Sequence, residues 1–236
     1  SAIAAEGYTR LSGELAAVCV TSGPGGTNAI TGVLGGWLDS IPMFIISGQV
    51  KRETTVWSTE IPLRQLGDQE YAIVESVRSM TKYAKMITEP MEIRYHLEKA
   101  LYLCKNGRGG PVWLDIPLDV QASMIDVEEL QGFDENELPK GHWSSIGNVA
   151  EKVLEKIRQA KRPLILAGTG IRLANAYDEF QMLIRKLDIP VVTAWNAHDL
   201  LCDEDPLNCG RPGTVGTRGG NFVVQNCDLL LVLGCR

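Results

Sequence analysis

Glycine and proline crowd one short stretch, TSGPGGTNAI at residues 21–30, which lies between two segments of regular pattern. The apolar run LAAVCV at 15–20 predicts a buried strand, and the segment after the glycines predicts a helix. A glycine-rich turn between a strand and a helix can bring backbone N–H groups close to a ligand. The stretch lacks both the GK[ST] ending of a phosphate loop and a GxGxxG spacing. A tight turn without any ligand is therefore an equal alternative.

Polar side chains follow the predicted ends of two neighbouring strands. Either Thr27 or Asn28 is predicted to cap the helix that begins in the glycine-rich stretch. Gln49, in SGQV, follows the predicted strand MFIIS at 43–47. Because open parallel sheets bind ligands outside the carboxyl ends of their strands, we expect Pro24, Asn28 and Gln49 on one surface. The alternative for Gln49 is a polar residue that only ends a strand.

A second glycine signal, LILAGTGIRLANA, places Gly168 and Gly170 after another predicted strand. The GxG pattern lacks a third glycine, so it is a weak fingerprint for a dinucleotide. The six cysteines include no CxxC pair and the three histidines are far apart, so no metal ligand is predicted. We interpret the cysteines as reduced thiols of a cytoplasmic protein rather than as a disulfide framework.

Composition limits the class of protein. The chain has 236 residues, of which 44% are hydrophobic and 22% charged, as in an ordinary globular protein with one or two cores. A net charge of −6 and the absence of basic runs argue against binding to nucleic acid or to a membrane surface. No apolar stretch approaches the ~20 residues of a membrane helix.

Seven apolar runs alternate with amphipathic segments. This alternation predicts an α/β chain with two doubly wound, mainly parallel-sheet domains and right-handed βαβ crossovers. Strands are predicted at 15–20, 43–47, 83–87, 112–116, 163–168, 190–194 and 229–234. Helices are predicted at 27–38, 69–78, 90–106, 148–160, 174–187 and 219–226.

The acidic, turn-rich segment 119–147 interrupts this alternation. We therefore predict a first domain at 1–125, a linker at 126–145 and a second domain at 146–236. The first residues, SAIAAEGYTRLSG, are typical of a helix already under way that ends at Gly13, and the last residues form a strand. We expect the chain to be a fragment in which the start of the first domain and the end of the second are missing.

Five stretches together resemble the acetolactate synthase branch of the thiamine diphosphate enzymes. They are AAEGYTRLSG, SGPGGTN, DSIPMFIISGQV, TKYA and GRGGPVWLDIPLDVQ, which follow one another in family order over residues 1–121. The resemblance continues more weakly to the end of the chain. It implies a pyrimidine-binding domain followed by a Rossmann-like central domain. A third domain, whose GDG…N motif is absent here, would hold the diphosphate through magnesium.

The resemblance also implies roles for individual residues. In the family, the GPGxTN loop touches the aminopyrimidine end of thiamine diphosphate, and Gln49 matches an active-site glutamine, which makes it our catalytic candidate. The family's cofactor-activating glutamate is expected upstream of Ser1, so Glu6 is assigned a structural role. The positions that match contacts with thiamine diphosphate are Pro24, Gly25, Thr27, Asn28 and Gln49.

The equivalent of the second glycine loop binds FAD in some members of the family, ADP in a few and nothing in others. The positions that would face such a nucleotide are Gly168, Gly170, Thr193 and Arg211. One departure concerns Asp68, which stands where many acetolactate synthases carry the aromatic residue of a Phe-Gln-Glu triplet. This leaves the acceptor substrate and the pathway open. The alternative is that RQLGDQE is only a capped, solvated helix start.

The prediction for function is therefore part of a thiamine diphosphate-dependent carboligase that acts on pyruvate-like 2-keto acids. We expect the full-length protein to be a cytoplasmic homodimer or homotetramer and the fragment alone to be inactive. The small residues of NAITGVLGGWLDS suggest a self-association surface. The alternatives are a related decarboxylase or oxidase, or a non-catalytic module for nucleotide binding or dimerisation.

Overall fold

Residues 1–139 and 146–236 are described by a computed structural model, and they belong to two compact units, Ser1–Lys140 and Gly141–Arg236. Each unit contains one parallel sheet, with helices between successive strands. The predicted fold class is confirmed. None of the helices within the described ranges is long and apolar enough to cross a membrane.

The first unit has a four-stranded parallel sheet in the order β1-β2-β4-β3. Its elements are α1 (Ala2–Ser12), β1 (Ala16–Val20), α2 (Pro24–Asp39), β2 (Met43–Gln49), α3 (Ile73–Val77), β3 (Tyr83–Met86), α4 (Ile93–Lys105), β4 (Pro111–Pro117) and α5 (Leu118–Gln121). Single 3-10 turns lie at Arg52–Thr54, Val56–Ser58, Arg78–Met80, Pro90–Glu92, Val127–Glu129 and Glu135–Glu137. The crossovers explain why β2 and β4, which are far apart in the chain, lie side by side.

Helices cover both faces of this sheet, which is why its central strands are continuously apolar. On one face, α1, α2 and α3 pack against a cluster that includes Ile45 and Trp113. On the other face, α4 packs against a cluster that includes Phe44 and Leu114. Side chains alternate along a strand, so neighbouring residues of β4 enter different clusters. Asp115 therefore shares the face of Trp113.

Small residues of α2 allow it to lie close to α1 and to the sheet. A methyl group on Gly32 would come within 2.7 Å of the Ala2 side chain and of the Ile3 backbone nitrogen. One on Gly36 would come within 2.5 Å of the Met43 sulfur. Gly32 and Gly36 are therefore used for packing inside the unit, and self-association through this segment remains a prediction.

The second unit has a three-stranded parallel sheet in the order β6-β5-β7. Its elements are α6 (Ile146–Gln159), β5 (Pro163–Ala167), α7 (Gly170–Leu173), α8 (Tyr177–Leu187), β6 (Val191–Thr193), a 3-10 turn (His198–Leu200), α9 (Arg218–Asn226) and β7 (Leu229–Leu233). Phe180 and Ile184 of α8 pack against Ile165 and Val191 to form its core. The αL residue Asp188 ends α8, as Gly13 ends α1.

All seven predicted strands are confirmed, whereas two predicted helices are wrong in extent. The helix predicted at 174–187 begins only at Tyr177, because Asn175 adopts a φ of 52° between the short helix α7 and α8. The helix predicted at 69–78 begins only at Ile73, since Gln69 has a φ of 59°. The Glu70 carboxylate accepts hydrogen bonds from three backbone N–H groups of the preceding loop. The segment RQLGDQE is therefore part of a loop that the Glu70 side chain holds together, and it does not begin a helix.

Part of the predicted linker packs on the first unit. The Phe133 ring contacts Tyr95 and Tyr102 of α4, and the Tyr95 hydroxyl donates to Glu137 at 2.7 Å. The segment up to Glu137 is thus attached to α4. Residues 140–145 of the predicted linker lie outside the described residues. The domain boundaries at 125 and 146 remain a prediction.

Candidate cofactor site

The carboxyl ends of β1 and β2 lie side by side, because these strands pair in parallel with Val20 opposite Ser47. Pro24 begins α2 shortly after β1 ends, and Gln49 is the last residue of β2. The topology therefore brings the glycine-rich stretch and Gln49 to the same edge of the sheet. This is the edge at which open α/β sheets bind ligands.

The start of α2 differs from the sequence prediction. The helix begins at Pro24, its N-cap is Gly23, and no side chain caps it. Proline is favoured at the first helical position because its missing N–H would have no partner there. Thr27 and Asn28 lie inside the helix, so the prediction that one of them is the cap is wrong. Both side chains are exposed at the edge of the sheet.

The glycines of the stretch are required by contacts within the protein. Gly23 has a φ of 55°, and a methyl group there would lie 2.2 Å from the Gln69 carbonyl oxygen. A methyl group on Gly26 would lie 3.2 Å from the Ile73 side chain. The loop before α3 therefore packs directly on the start of α2. Close approach of a ligand is not needed to explain these two glycines.

Gln49 is 4% exposed and makes three hydrogen bonds with its amide. Its Nε2 donates to the Tyr71 carbonyl oxygen at 2.9 Å and to Asp115 Oδ2 at 3.0 Å. Its Oε1 accepts from the Val50 backbone N–H at 3.0 Å. Both amide hydrogens are used, so the second lone pair of Oε1 is the part of the amide that is left to accept a hydrogen bond from a ligand.

Asp115 is a buried carboxyl group that the sequence analysis did not single out. It is 1% exposed and accepts from Ser47 Oγ at 2.5 Å as well as from Gln49. Burial raises the pKa of Asp115 to about 6, while the hydrogen bonds from Ser47 and Gln49 act in the opposite direction. The available signal was a single acidic residue inside the apolar run PVWLDIP.

Arg52 forms hydrogen bonds that connect the loops at this edge of the sheet. Its Nε donates to Asp119 Oδ2 at 2.7 Å, and its backbone N–H donates to Asp119 Oδ1 at 3.0 Å. Its Nη1 donates to the Thr88 carbonyl oxygen at 2.5 Å. The segments that follow β2, β3 and β4 are thereby joined by one side chain.

The second glycine loop uses its backbone donors internally. The N–H of Gly168 donates to the Leu233 carbonyl oxygen at 2.8 Å, and that of Gly170 donates to the Gly234 carbonyl oxygen at 2.9 Å. A methyl group on Gly168 or Gly170 would lie 2.4 or 2.7 Å from the Gly234 carbonyl oxygen. These glycines therefore allow the loop after β5 to pack on the end of β7.

The other two predicted nucleotide contacts lie near each other in the second unit. Thr193 is 2% exposed, and its backbone N–H donates to the Gly210 carbonyl oxygen at 3.1 Å. Arg211 follows Gly210, and its backbone is bound to Thr217 through both N–H and carbonyl groups. In the described part of the chain, no group of three or more His, Cys, Asp or Glu residues is arranged to hold a metal ion.

Comparison with protein families defines the class. Residues 1–72 match the family described as thiamine pyrophosphate enzyme, N-terminal TPP binding domain, and residues 150–236 match thiamine pyrophosphate enzyme, central domain. The chain belongs to the thiamine pyrophosphate enzymes. The family match thus includes the edge of the sheet that carries Pro24, Asn28 and Gln49.

Among curated proteins, the chain is similar to large subunits of acetolactate synthase. It is 34% identical to the probable acetolactate synthase large subunit of Methanocaldococcus jannaschii, over 100% of this chain and 39% of the relative. It is 34% identical to the acetolactate synthase large subunit of Lactococcus lactis, over 98% of this chain and 39% of the relative. The maize acetolactate synthase 1, chloroplastic, is 35% identical, over 100% of this chain and 35% of the relative. The chain therefore spans about two fifths of the length of these relatives.

Proposed function

We propose that this chain supplies the pyrimidine-binding and central portions of a thiamine diphosphate-dependent enzyme of the acetolactate synthase type. Its substrates are pyruvate-like 2-keto acids. The proposal is supported chiefly by one observation. The loop at Pro24 and the Gln49 side chain lie at the same edge of the first sheet. The proposal is also supported by the similarity of the whole chain to acetolactate synthase large subunits.

The residues at this edge fit the aminopyrimidine end of the cofactor. Thr27 and Asn28 present neutral polar side chains in an exposed helical turn, and Gln49 offers one oxygen lone pair. Such groups suit a flat, uncharged ring that carries donors and acceptors. When bound, thiamine diphosphate supplies the electron sink for decarboxylation of a 2-keto acid. These side chains bind and orient the ring.

Magnesium and a nucleotide fit this chain less well. The described residues offer no cluster of metal ligands, so we assign the contacts to magnesium and the diphosphate to other residues. The amides of Gly168 and Gly170 are already bonded to carbonyl oxygens. Thr193 is also enclosed, at 2% exposed, so if FAD or ADP binds to the second unit, Arg211 is the expected contact among these four residues. The absorption spectrum of the purified protein tests for flavin.

Single substitutions at the edge of the sheet test this proposal in the enzyme at the length of its relatives. Asn28→Ala and Gln49→Ala are expected to raise the thiamine diphosphate concentration that gives half-maximal acetolactate formation from pyruvate. Loss of one neutral hydrogen bond corresponds to a change of about two- to tenfold. Asn148→Ala, at an exposed position of α6, is the matched control and should leave this concentration unchanged. An unchanged value for both edge variants would contradict the assignment of the site.

A further inference from the structure

The hydrogen bonds around Asp115 fix the direction in which each proton points. The Trp113 indole can only donate, and it donates to Ser47 Oγ at 2.8 Å. The Ser47 hydroxyl donates in turn to Asp115 Oδ1 at 2.5 Å, and Gln49 Nε2 donates to Oδ2 at 3.0 Å. Both oxygens of Asp115 therefore accept, which is the pattern of an ionised carboxylate.

The Gln49 amide fits this network in one orientation. Its Nε2 faces two acceptors, Asp115 Oδ2 and the Tyr71 carbonyl oxygen, while its Oε1 faces the Val50 N–H donor. A turned amide would place Oε1 against the Tyr71 carbonyl oxygen and Nε2 against the Val50 N–H. Both contacts would then be repulsive, so the ionised carboxylate and the amide orientation support each other.

A proton on Asp115 disturbs this arrangement wherever it is placed. On Oδ2, it faces the Gln49 Nε2 hydrogens and favours the turned amide. On Oδ1, it points to Ser47 Oγ, and the Ser47 hydroxyl hydrogen loses its acceptor. In the second case Gln49 donates to a neutral oxygen, which is a weaker bond than one to a carboxylate. Protonation therefore loosens the amide in either case.

The helices packed over this face bring no counter-charge to the buried carboxylate. On α1 and α2, Arg10 forms ion pairs with Glu6 and Asp39. Glu75 of α3 pairs with Arg78 at 2.6 Å, and both side chains are exposed.

Titratable groups on the adjoining strand and loop are also engaged elsewhere or exposed. On β3, Lys85 is exposed and the Tyr83 hydroxyl bonds a histidine of α4. In the loop before α3, Asp68 is exposed, Glu70 binds backbone N–H groups, and the Tyr71 hydroxyl bonds Ser76. Burial, with the hydrogen bonds from the neighbouring serine and glutamine, therefore sets the titration of the carboxylate.

We propose that Asp115 is a positioning residue for Gln49: its ionised carboxylate, held by Ser47, fixes the orientation of the Gln49 amide at the edge of the sheet. Uptake of a proton by Asp115 releases the amide. The inference rests on the proposed function only in treating Gln49 as a contact for cofactor or substrate. Asp115 itself touches neither.

The test is an NMR titration of the ¹⁵N-labelled 236-residue chain between pH 8 and pH 5. The Gln49 side-chain NH₂ signals, assigned by their loss in Gln49→Ala, and the Trp113 indole N–H signal should shift with a common midpoint near pH 6. Asp115→Asn should abolish this midpoint and speed hydrogen exchange of the Gln49 amide by about tenfold, as expected for one lost bond to a charged acceptor. Asp119→Asn, which removes a carboxylate paired with Arg52, is the matched control and should preserve the midpoint.

A second variant keeps the proposal testable if Asp115→Asn fails to fold. Ser47→Ala removes a donor that lowers the Asp115 pKa, so the midpoint should move to higher pH. An unchanged midpoint in Ser47→Ala, or a midpoint that persists in a folded Asp115→Asn variant, would overturn the proposal. The titration contains no cofactor, so failure to bind thiamine diphosphate would count against the proposed function and not against this result.

Discussion

Asp115 makes the stability of the fold depend on pH, and it does so through hydrogen bonds to residues at the carboxyl edge of the first sheet. Its carboxylate is buried and meets only neutral donors, from Ser47 and Gln49. Two hydrogen bonds do not fully offset the desolvation of the charge, so the pKa is raised to about 6 from 3.8. The folded protein therefore binds a proton more readily than the unfolded chain does.

This pKa shift predicts a specific pH dependence of stability. The contribution of Asp115 is fully present below about pH 4 and is lost as the pH rises to about 6. A shift of about two units corresponds to on the order of 3 kcal/mol. The free energy of unfolding of the wild type, relative to Asp115→Asn, should fall by up to this amount between pH 4 and pH 7. Urea denaturation at both pH values measures it, and a difference that rises with pH would contradict the assigned shift.

Helices α1 and α2 depend on small residues for their close contact. Gly32→Ala would place a methyl group 2.7 Å from the Ile3 backbone nitrogen, which cannot move without the helix. We expect a loss of about 1–3 kcal/mol in the free energy of unfolding, because overpacking forces the backbone to shift.

Gly7 is the matched control for this substitution. It also lies in a helix, but a methyl group there would meet nothing within 4 Å. Gly7→Ala should therefore stabilise the protein by about 0.5–1 kcal/mol through helix propensity alone. Denaturation of both variants at one pH is the measurement. Equal effects of the two substitutions would show that α1 and α2 are not packed as described.

The strands could be predicted from the sequence because burial on both faces leaves an unmistakable apolar run, such as MFIIS in β2. The edge that carries Pro24 and Gln49 followed from the same pattern and from the order of the strands. The start of α3 could not be predicted, since it depends on contacts of Glu70 and Gln69 with distant backbone groups. Asp115 was missed because a local pattern does not show that its carboxylate lies opposite Ser47 on the neighbouring strand β2.

Across the molecule, each of the two units has its own sheet and its own buried apolar residues, which predicts two units that resist proteolysis. Residues up to Glu137 are attached to α4 through Phe133 and Tyr95. We therefore expect the first cleavage between Glu137 and Ile146, which would leave two protected fragments. Limited digestion followed by mass spectrometry identifies the cut. Early cleavage inside 20–50 or 160–195 would contradict the division into these units.

In the proposed function, the carboxyl edge of the first sheet receives the aminopyrimidine of thiamine diphosphate. The most direct measurement is a titration of the ¹⁵N-labelled 236-residue chain with thiamine diphosphate and magnesium, followed through the backbone amide signals. The largest shifts should occur at Gly25, Thr27, Asn28 and Gln49. A few neutral hydrogen bonds, each worth about 0.5–1.5 kcal/mol, predict weak binding, on the order of millimolar. Micromolar binding, or largest shifts around Gly168 and Gly170 in the second unit, would contradict this account.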